Sequence, residues 1–208
     1  MKHTDQELIA MYDAYYKADP NKWAHGQRNG FAFASAARSL GGKPPKNCLD
    51  IGCGVGHTLE FFQERWSDVE YFGMDFSPEA IRLASSRVRN AKFHCGFLAE
   101  SNPFDEPFEV ILMLGVMEHL EDLEVGLKQV KALLAPGGIC YTEIPNCIGY
   151  PTTTDKTEGF RQLNTGNHQY EWHLFRPTWD AKLQEAGFEI VERLTGPSIY
   201  TEFCYILK

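Results

Sequence analysis

The stretch from Asn47 to Phe62, NCLDIGCGVGHTLEFF, decides how this chain folds. It begins with a short apolar run, NCLDI, which predicts a buried strand. Three glycines, Gly52, Gly54 and Gly56, follow at every second position, and HTLEFF continues as a predicted helix. Glycine adopts positive φ and allows another group to approach the backbone closely. A strand, a glycine-rich turn and a helix in this order predict the opening unit of a doubly wound α/β fold.

Strand-like and helical segments alternate after this unit. The segments VEYFGMD, AKFHC, FEVILML and ICYTEIP predict strands, and SPEAIRLASSRV and DLEVGLKQVKALL predict helices. This alternation predicts a mainly parallel sheet. Towards the C-terminus, RPTWDAKLQEAGF predicts a helix, and EIVERL and YTEFCYILK predict an antiparallel hairpin because only a short connection separates them.

The predicted organisation is one domain with a helical cap and a lid. Residues 1–45 predict an N-terminal helical cap, in which Thr4 and Glu7 form a capping box, and residues 46–208 form the remainder of the same domain. Residues 146–172 interrupt the alternation with many Gly, Thr and Asn. A loop of this length in a compact domain is usually functional, and we interpret it as lid-like.

Composition disfavours several classes of protein. The 20 Lys plus Arg against 28 Asp plus Glu give a net charge of −8, which makes nucleic acid an unlikely partner because phosphate binding usually requires a basic patch. No apolar run is long enough to predict a membrane span, and no secretory signal is recognisable, so we expect a cytoplasmic location. The six cysteines include no C-x-x-C pair, and we expect reduced thiols and no metal site.

The glycine-rich turn has two interpretations, a tight turn without a ligand or a cradle for a nucleotide-like ligand. The spacing is G-x-G-x-G, with His57 directly after the third glycine, and this departs from the dinucleotide pattern of NAD- and FAD-binding proteins. Asp75 ends the second predicted strand, where a carboxylate can accept both hydroxyls of a ribose. Ser77 and Pro78 account for the start of the next helix, which leaves Asp75 available for that role.

Five motifs in order resemble the class I S-adenosylmethionine-dependent methyltransferases, in particular the small ubiquinone- and glycan-pathway-like branch. They are LDIGCGVG, GMDFSPEAIRLA, FEVILMLGVMEHL, LLAPGG and LQEAGF, and they cover about Lys46 to Glu192. The resemblance implies a Rossmann-like seven-stranded sheet of order 3-2-1-4-5-7-6, with the last strand antiparallel. It also implies S-adenosylmethionine as cofactor, S-adenosylhomocysteine as product, and in-line methyl transfer to a small-molecule acceptor.

The resemblance further implies which residues bind the cofactor. They are Asp50, Gly52, Cys53, Gly54, Gly56, Asp75, Phe76, Phe97, Leu114 and Gly115. In this assignment Asp50 orders the loop and approaches the cofactor's amino group through water, the glycines line its methionine and ribose portions, and Asp75 binds the ribose. Phe97 replaces an acid that often accepts the adenine amino group in such proteins, so adenine is expected to be held by stacking and by the backbone of residues 96–98.

Catalytic candidates follow the fourth predicted strand and the lid. A hydroxyl acceptor requires a general base, whereas an activated carbon or a neutral amine does not. Glu118 and His119 follow the fourth strand, and HQYEWH contains His168 and His173. His119 is either a base or a structural histidine bonded to backbone, and the other two histidines either face a substrate or form ordinary hydrogen bonds. We name His119, His168 and His173 as the catalytic candidates.

Alternatives to a small-molecule methyltransferase remain open at this stage. One is a protein or RNA methyltransferase, and another is a protein that binds S-adenosylmethionine without catalysis. An NAD-dependent dehydrogenase is disfavoured by the glycine spacing and by the C-terminal hairpin. Both a monomer and a homodimer are compatible with the two N-terminal helices.

Overall fold

The computed structural model describes residues 4–21, 23–24, 26–98, 102–146, 157–162, 170–196 and 203–208. The helices are α1 Asp5–Ala18, α2 Gly26–Ser39, α3 His57–Gln63, α4 Pro78–Arg87, α5 Leu123–Leu133 and α6 Arg176–Glu185. The strands are β1 Asn47–Ile51, β2 Glu70–Asp75, β3 Lys92–Cys95, β4 Phe108–Leu114, β5 Leu134–Ile144, β6 Gly159–Gln162, β7 Tyr170–His173, β8 Ile190–Thr195 and β9 Phe203–Leu207. A single 3₁₀ turn, Met117–His119, follows β4.

The main sheet has seven strands in the order β3-β2-β1-β4-β5-β9-β8. Strands β1 to β5 are parallel to one another. Strand β9 is antiparallel to both of its neighbours, β5 and β8. With β8 and β9 as the sixth and seventh strands, the predicted order and the predicted antiparallel last strand are confirmed. The strand order reverses between β1 and β4, which is where open α/β sheets bind ligands.

Helices cover the sheet on both faces, and each face has its own hydrophobic core. On one face, Ala32 and Ala36 of α2 and Leu59 and Phe62 of α3 pack against the sheet. On the other face, the packing residues are Leu127, Val130, Trp179 and Leu183 of α5 and α6. All five residues of β1 are buried, as expected for a central parallel strand covered on both sides.

Helix α1 is attached to the start of α4 by a buried polar contact. Thr4 and Glu7 form the predicted capping box. Further along α1, Asp13 accepts hydrogen bonds from the hydroxyl of Ser77 and, at 3.1 Å, from the backbone N–H of Glu79. Since the first N–H groups of a helix lack partners within the helix, a carboxylate there is favourable. Asp13 therefore holds the N-terminal cap over the carboxyl end of β2.

The segment predicted as a lid-like loop, residues 146–172, contains regular structure. Strands β6 and β7 pair antiparallel, with Phe160 opposite Trp172, and form a separate two-stranded ribbon. The prediction of an irregular loop is therefore wrong for its described part, because the Gly- and Thr-rich composition obscured two short strands. His168 lies outside the described residues. None of the described helices is long and apolar enough to cross a membrane.

Candidate active site

A cavity of about 770 Å³ lies at the carboxyl ends of the parallel strands. Residues that end or follow β1 to β5 form its floor, and α1, α2 and the ribbon contribute its walls. The floor residues are Gly52, Asp75, Phe76, Gly96, Phe97, Leu114, Gly115 and Pro145; the wall residues include Tyr12, Tyr16, Arg28, Phe160 and Tyr170. The volume is in the range of ordinary ligand sites, and its position matches the predicted switch point.

The glycine-rich turn is in close contact with its surroundings at two positions. Gly52 has φ +71°, and a Cβ there would lie 2.5 Å from Cγ2 of Val116. Gly54 has φ +51°, and a Cβ there would lie 3.0 Å from the hydroxyl of Tyr16. Only glycine meets both the dihedral and the steric requirement. The backbone of this turn thus lies directly on the cavity.

Gly56 has a different role from the other two glycines. It is the N-cap of α3 at φ +85°, and a Cβ there would lie 3.0 Å from Val88 and 3.3 Å from Ala84. It is absent from the residues that line the cavity, unlike Gly52 and Gly54. The structure therefore places Gly56 at the packing contact between α3 and the end of α4, outside the cavity lining.

Asp75 is buried at the end of β2, and both of its carboxylate oxygens accept hydrogen bonds. Oδ2 accepts from the N–H of Gly54 and Oδ1 from the N–H of Ser77, each at 2.9 Å. Asp75 thus contributes to the local structure of the turn and of the α4 start, in addition to the helix start formed by Ser77 and Pro78. Each carboxylate oxygen retains a second acceptor site, so the pair can still bind two hydroxyls. Burial raises the pKa of Asp75 to about 6, although the two N–H donors oppose that rise.

Buried Asp50 and Glu143 and the partly exposed Arg28 line the cavity near the glycine-rich turn. Nε of Arg28 lies 2.5 Å from Oε1 of Glu143. A Cβ on Gly115 would lie 2.8 Å from Nη2 of Arg28, so glycine is required there for the guanidinium to fit. Burial raises the pKa of Asp50 to about 8, an effect that Arg28 opposes and the charge of Asp75 reinforces.

Aromatic rings form one end of the cavity. The rings of Phe76 and Phe97 stack with centroids 4.9 Å apart and planes 9° apart, and both line the cavity. The N–H of Gly96 donates to the carbonyl of Asp75 at 2.9 Å, so this backbone donor is already used within the sheet. Cys53 is buried in the turn and lines the cavity as well. The geometry favours stacking over backbone contacts from Gly96 at this end.

Further aromatic rings line the rest of the cavity. Tyr12 contacts Phe76 edge-on with ring centroids 5.0 Å apart and stacks on Trp23 at 6.1 Å. Phe160 and Tyr170 stack at 5.8 Å, and the carbonyl of Tyr170 contacts His119. Burial raises the pKa of the Tyr12 hydroxyl far above its usual range, and the charges of Asp75, Glu118 and Glu171 add to that rise. Tyr12 thus lies between the ribose carboxylate at one end and the acids at the other.

Glu118 and His119 occupy the 3₁₀ turn after β4, and both line the cavity. Nδ1 of His119 lies 2.8 Å from the carbonyl oxygen of Tyr170. A carbonyl only accepts, so the contact requires Nδ1–H, and Nε2 faces Oε1 of Glu118 at 3.7 Å. Burial raises the pKa of Glu118 to about 7, and Glu171 adds to this rise while His119 opposes it. His119 both contacts backbone and reaches the cavity.

His173 does not reach the cavity. It lies on β7, where side chains alternate between faces, so it shares the buried face with Glu171, and Tyr170 and Trp172 share the other face. Its Nε2 lies 3.6 Å from Oε2 of Glu171. The prediction of a substrate-facing His173 fails because the segment was interpreted as a loop, in which this alternation has no meaning.

Arg28 and Glu143 are site residues that the sequence analysis missed. In α2, Arg28 lies four and eight residues before Ala32 and Ala36, both fully buried. A charged residue on the buried face of a helix is a signal that it has a buried partner. Glu143 is likewise a charged residue within the buried part of β5. The helical spacing of Arg28 relative to Ala32 and Ala36 can be read from the sequence, but its pairing with Glu143 can be seen only in the tertiary structure.

Fold and cavity together define a class: a doubly wound α/β protein that binds a nucleotide-type cofactor over a glycine-rich turn. A family model described as "Methyltransferase domain" matches residues 22–193. Trans-aconitate 2-methyltransferase of Methylobacterium radiotolerans is 31% identical over 108 residues, which cover 52% of this chain and 41% of that protein. Ubiquinone biosynthesis O-methyltransferase of Azorhizobium caulinodans is 29% identical over 167 residues, covering 77% of this chain and 65% of that protein.

A solved structure with the same fold is the 1,6-didemethyltoxoflavin-N1-methyltransferase of Burkholderia thailandensis, with bound 1,6-didemethyltoxoflavin and S-adenosylhomocysteine. Its TM-score is 0.73 at 18% identity, with 100% of this chain and 90% of that chain covered. The chain belongs to the methyltransferase-domain family of the class I S-adenosylmethionine-dependent methyltransferases. It spans about half the length of several curated relatives that it matches.

Proposed function

We propose that this chain transfers a methyl group from S-adenosylmethionine, in line, to a small-molecule acceptor. The observation that carries the proposal is the continuity of the cavity, which extends from the glycine-rich turn and Asp75 to the compartment formed by Tyr12, Phe160 and Tyr170. A cofactor on the turn and an acceptor in that compartment would share one continuous space. Holding two reactants in this way is a major source of rate enhancement.

The residues present fit this cofactor. Gly52 and Gly54 line the cavity, which supports a ligand over the turn, and Asp75 supports recognition of two ribose hydroxyls. The stacked rings of Phe76 and Phe97 support an adenine at that end. Arg28 would hold the carboxylate of the amino-acid portion and Asp50 its ammonium group, since both residues line the cavity near the turn.

The cofactor supplies an electrophilic methyl group on a sulfonium, and the chain's own residues orient the reactants and exclude water. Tyr12 and Tyr16 of α1 cover the turn, and Asp13 holds α1 in place. Glu118 and His119 lie where a proton from the acceptor could be received. These features favour catalysis over cofactor binding alone.

Several features favour a small acceptor over protein or RNA. The acceptor compartment is walled by α1 and by the β6–β7 ribbon, and a polymer would require an open groove. Among the described residues that line the cavity, Arg28 is the only Lys or Arg, which disfavours a phosphate backbone. Two of the curated relatives are named for small molecules, trans-aconitate and ubiquinone.

The size of the acceptor can be tested with labelled cofactor. The chain is incubated with a bacterial extract and S-adenosylmethionine that carries a tritiated methyl group. We expect the label to appear in the fraction that passes a filter with a cut-off of about 3 kDa. Protease and ribonuclease treatment of the extract beforehand should leave this label unchanged. Label retained in protein or RNA would contradict the proposal.

Cofactor affinity is expected to depend on pH through Asp50. In the ligand-free chain its pKa is about 8, so at pH 6 the carboxyl is mostly protonated. An ammonium group binds the ionised carboxylate, so binding expels a proton and affinity rises with pH until Asp50 is ionised without ligand. We expect S-adenosylhomocysteine to bind roughly 50-fold more tightly at pH 8 than at pH 6, as the ionised fraction of Asp50 rises, measured by isothermal titration calorimetry.

Two controls isolate Asp50 in this measurement. Asp50→Asn removes the titrating group and should flatten the pH dependence. Methylthioadenosine, which lacks the amino-acid portion, should bind the unchanged chain with little dependence on pH in the same range. A pH dependence that survives in Asp50→Asn would assign the proton to another group.

A further inference from the structure

Glu118 is a buried carboxyl at the cavity wall. Its exposure is 1%, and among the described residues Oε2 has no hydrogen-bond partner. A Cβ on Gly115 would lie 2.8 Å from Nη2 of Arg28 and 3.4 Å from Oε1 of Glu118. Gly115 therefore lies between Arg28 and Glu118, which are near enough for the charge of Arg28 to oppose the rise in the pKa of Glu118. A buried carboxyl without a full set of partners is costly in a stable protein and indicates a ligand that completes it.

The charges around the cavity are predominantly acidic. The described lining residues include the carboxyl side chains of Asp50, Asp75, Glu118, Glu121 and Glu143, against the single guanidinium of Arg28. Arg28 is paired with Glu143, and its charge also opposes the rise in the pKa of Glu118, but one guanidinium faces five carboxyl groups. Glu171 is buried behind this side and its charge acts on both Glu118 and Tyr12. Such a compartment favours a cationic ligand and disfavours a carboxylate.

The walls of the acceptor compartment complement a cation in a second way. The faces of aromatic rings attract cations, and Phe160 and Tyr170 line the cavity next to the turn of Glu118 and His119, while Tyr12 lines it between Phe76 and these acids. The same rings provide apolar surface for the body of a ligand. Acidic and aromatic groups together are the chemistry that recognises an amine attached to an apolar or planar body.

We propose that the methyl acceptor carries a basic nitrogen beside an aromatic or apolar body, and that the carboxylate of Glu118 binds its N–H group. The inference rests on the proposed function and adds to it the chemical class of the acceptor. An ammonium ion has no lone pair with which to attack a methyl group. When its N–H bond breaks, the proton passes to the carboxylate of Glu118, and the bonding pair remains on nitrogen as the lone pair required.

The experiment compares three probes that share an indole ring and differ in charge: tryptamine, tryptophol and indole-3-acetate. Each is titrated by calorimetry into the chain saturated with S-adenosylhomocysteine, at one pH and one ionic strength. We expect tryptamine to bind at least about tenfold more tightly than indole-3-acetate, with tryptophol between them. Equal affinities, the reverse order, or no binding of tryptamine at millimolar concentration would overturn the proposal.

The contribution of Glu118 is tested by Glu118→Gln, which keeps the shape and removes the charge. We expect this variant to lose the preference for tryptamine over tryptophol while retaining its affinity for S-adenosylhomocysteine. The matched control is Glu124→Gln. This substitution removes the same charge from the chain at an exposed position on α5. A preference that persists in Glu118→Gln would overturn the role of Glu118.

The design separates failure of the inference from failure of the proposed function. If S-adenosylhomocysteine itself does not bind, the proposed function fails. If it binds and the probes rank otherwise, only the acceptor class is wrong. The probe order in the unchanged chain decides that class even if Glu118→Gln does not fold.

Discussion

Replacement of Asp75 by alanine is expected to weaken the binding of S-adenosylhomocysteine by about 10- to 150-fold, equivalent to about 1.5–3 kcal/mol for lost charge-assisted hydrogen bonds. The carboxylate would bind the ribose and also accepts the N–H groups of Gly54 and Ser77, so one substitution removes the ligand contact and loosens the turn. Isothermal titration calorimetry measures the change directly.

A control distinguishes the ribose contact from the local hydrogen bonds. Ser77→Ala removes the side-chain cap, which accepts from the N–H of Ala80 at 3.1 Å, and the hydrogen bond from the hydroxyl to Asp13. It leaves Asp75 in place, and Asp13 still accepts from the N–H of Glu79. The substitution should lower stability by about 1 kcal/mol with little change in affinity. If Ser77→Ala weakens binding as much as Asp75→Ala, then the conformation of the α4 start, and not a ribose contact, explains the loss.

Replacement of Gly52 by alanine is expected to lower the free energy of unfolding by about 2–5 kcal/mol. About 1–2 kcal/mol of this comes from a side chain at φ +71°, and about 1–3 kcal/mol from overpacking against Val116, whose Cγ2 would lie 2.5 Å from the new Cβ. Since the turn lies on the cavity, cofactor affinity should fall as well. Denaturant unfolding, with and without S-adenosylhomocysteine, measures both effects.

Gly41 offers a matched control for the dihedral strain. It has φ +65° but nothing within 4 Å of its Cβ position, so Gly41→Ala should cost only the strain and leave affinity unchanged. Adding Val116→Ala to Gly52→Ala should recover part of the steric loss. Equal costs for Gly41→Ala and Gly52→Ala would show that the contact with Val116 does not limit the turn.

Elements with strong local signals could be predicted from the sequence. Ser77 and Pro78 start α4 where the cap and the fixed φ of proline indicated, and the Thr4 capping box starts α1. The order of strands followed from the resemblance of five motifs. Residues 146–172 were predicted less well, because a strand of four residues carries too little periodicity to distinguish it from a loop.

Some residues of the candidate site could likewise be predicted from the sequence, and others could not. Residues adjacent in sequence to the strand ends, such as Gly52, Asp75 and Glu118, were identified because parallel strands bring their carboxyl ends to one edge. Gly56 belongs to the same motif but packs on Val88, and no local pattern distinguishes a glycine that faces a ligand from one that faces a helix.

The alternating framework, the position of the glycine-rich turn and the acid at the end of β2 follow from the sequence alone, since these depend on local propensity and on the regular geometry of parallel sheets. The three-dimensional fold is needed to see that Arg28 pairs with Glu143, that His119 and not His173 lines the cavity, and that Glu118 is buried at the cavity wall. These outcomes depend on contacts between elements that are distant in the chain. Burial at these contacts determines how strongly the charged groups interact.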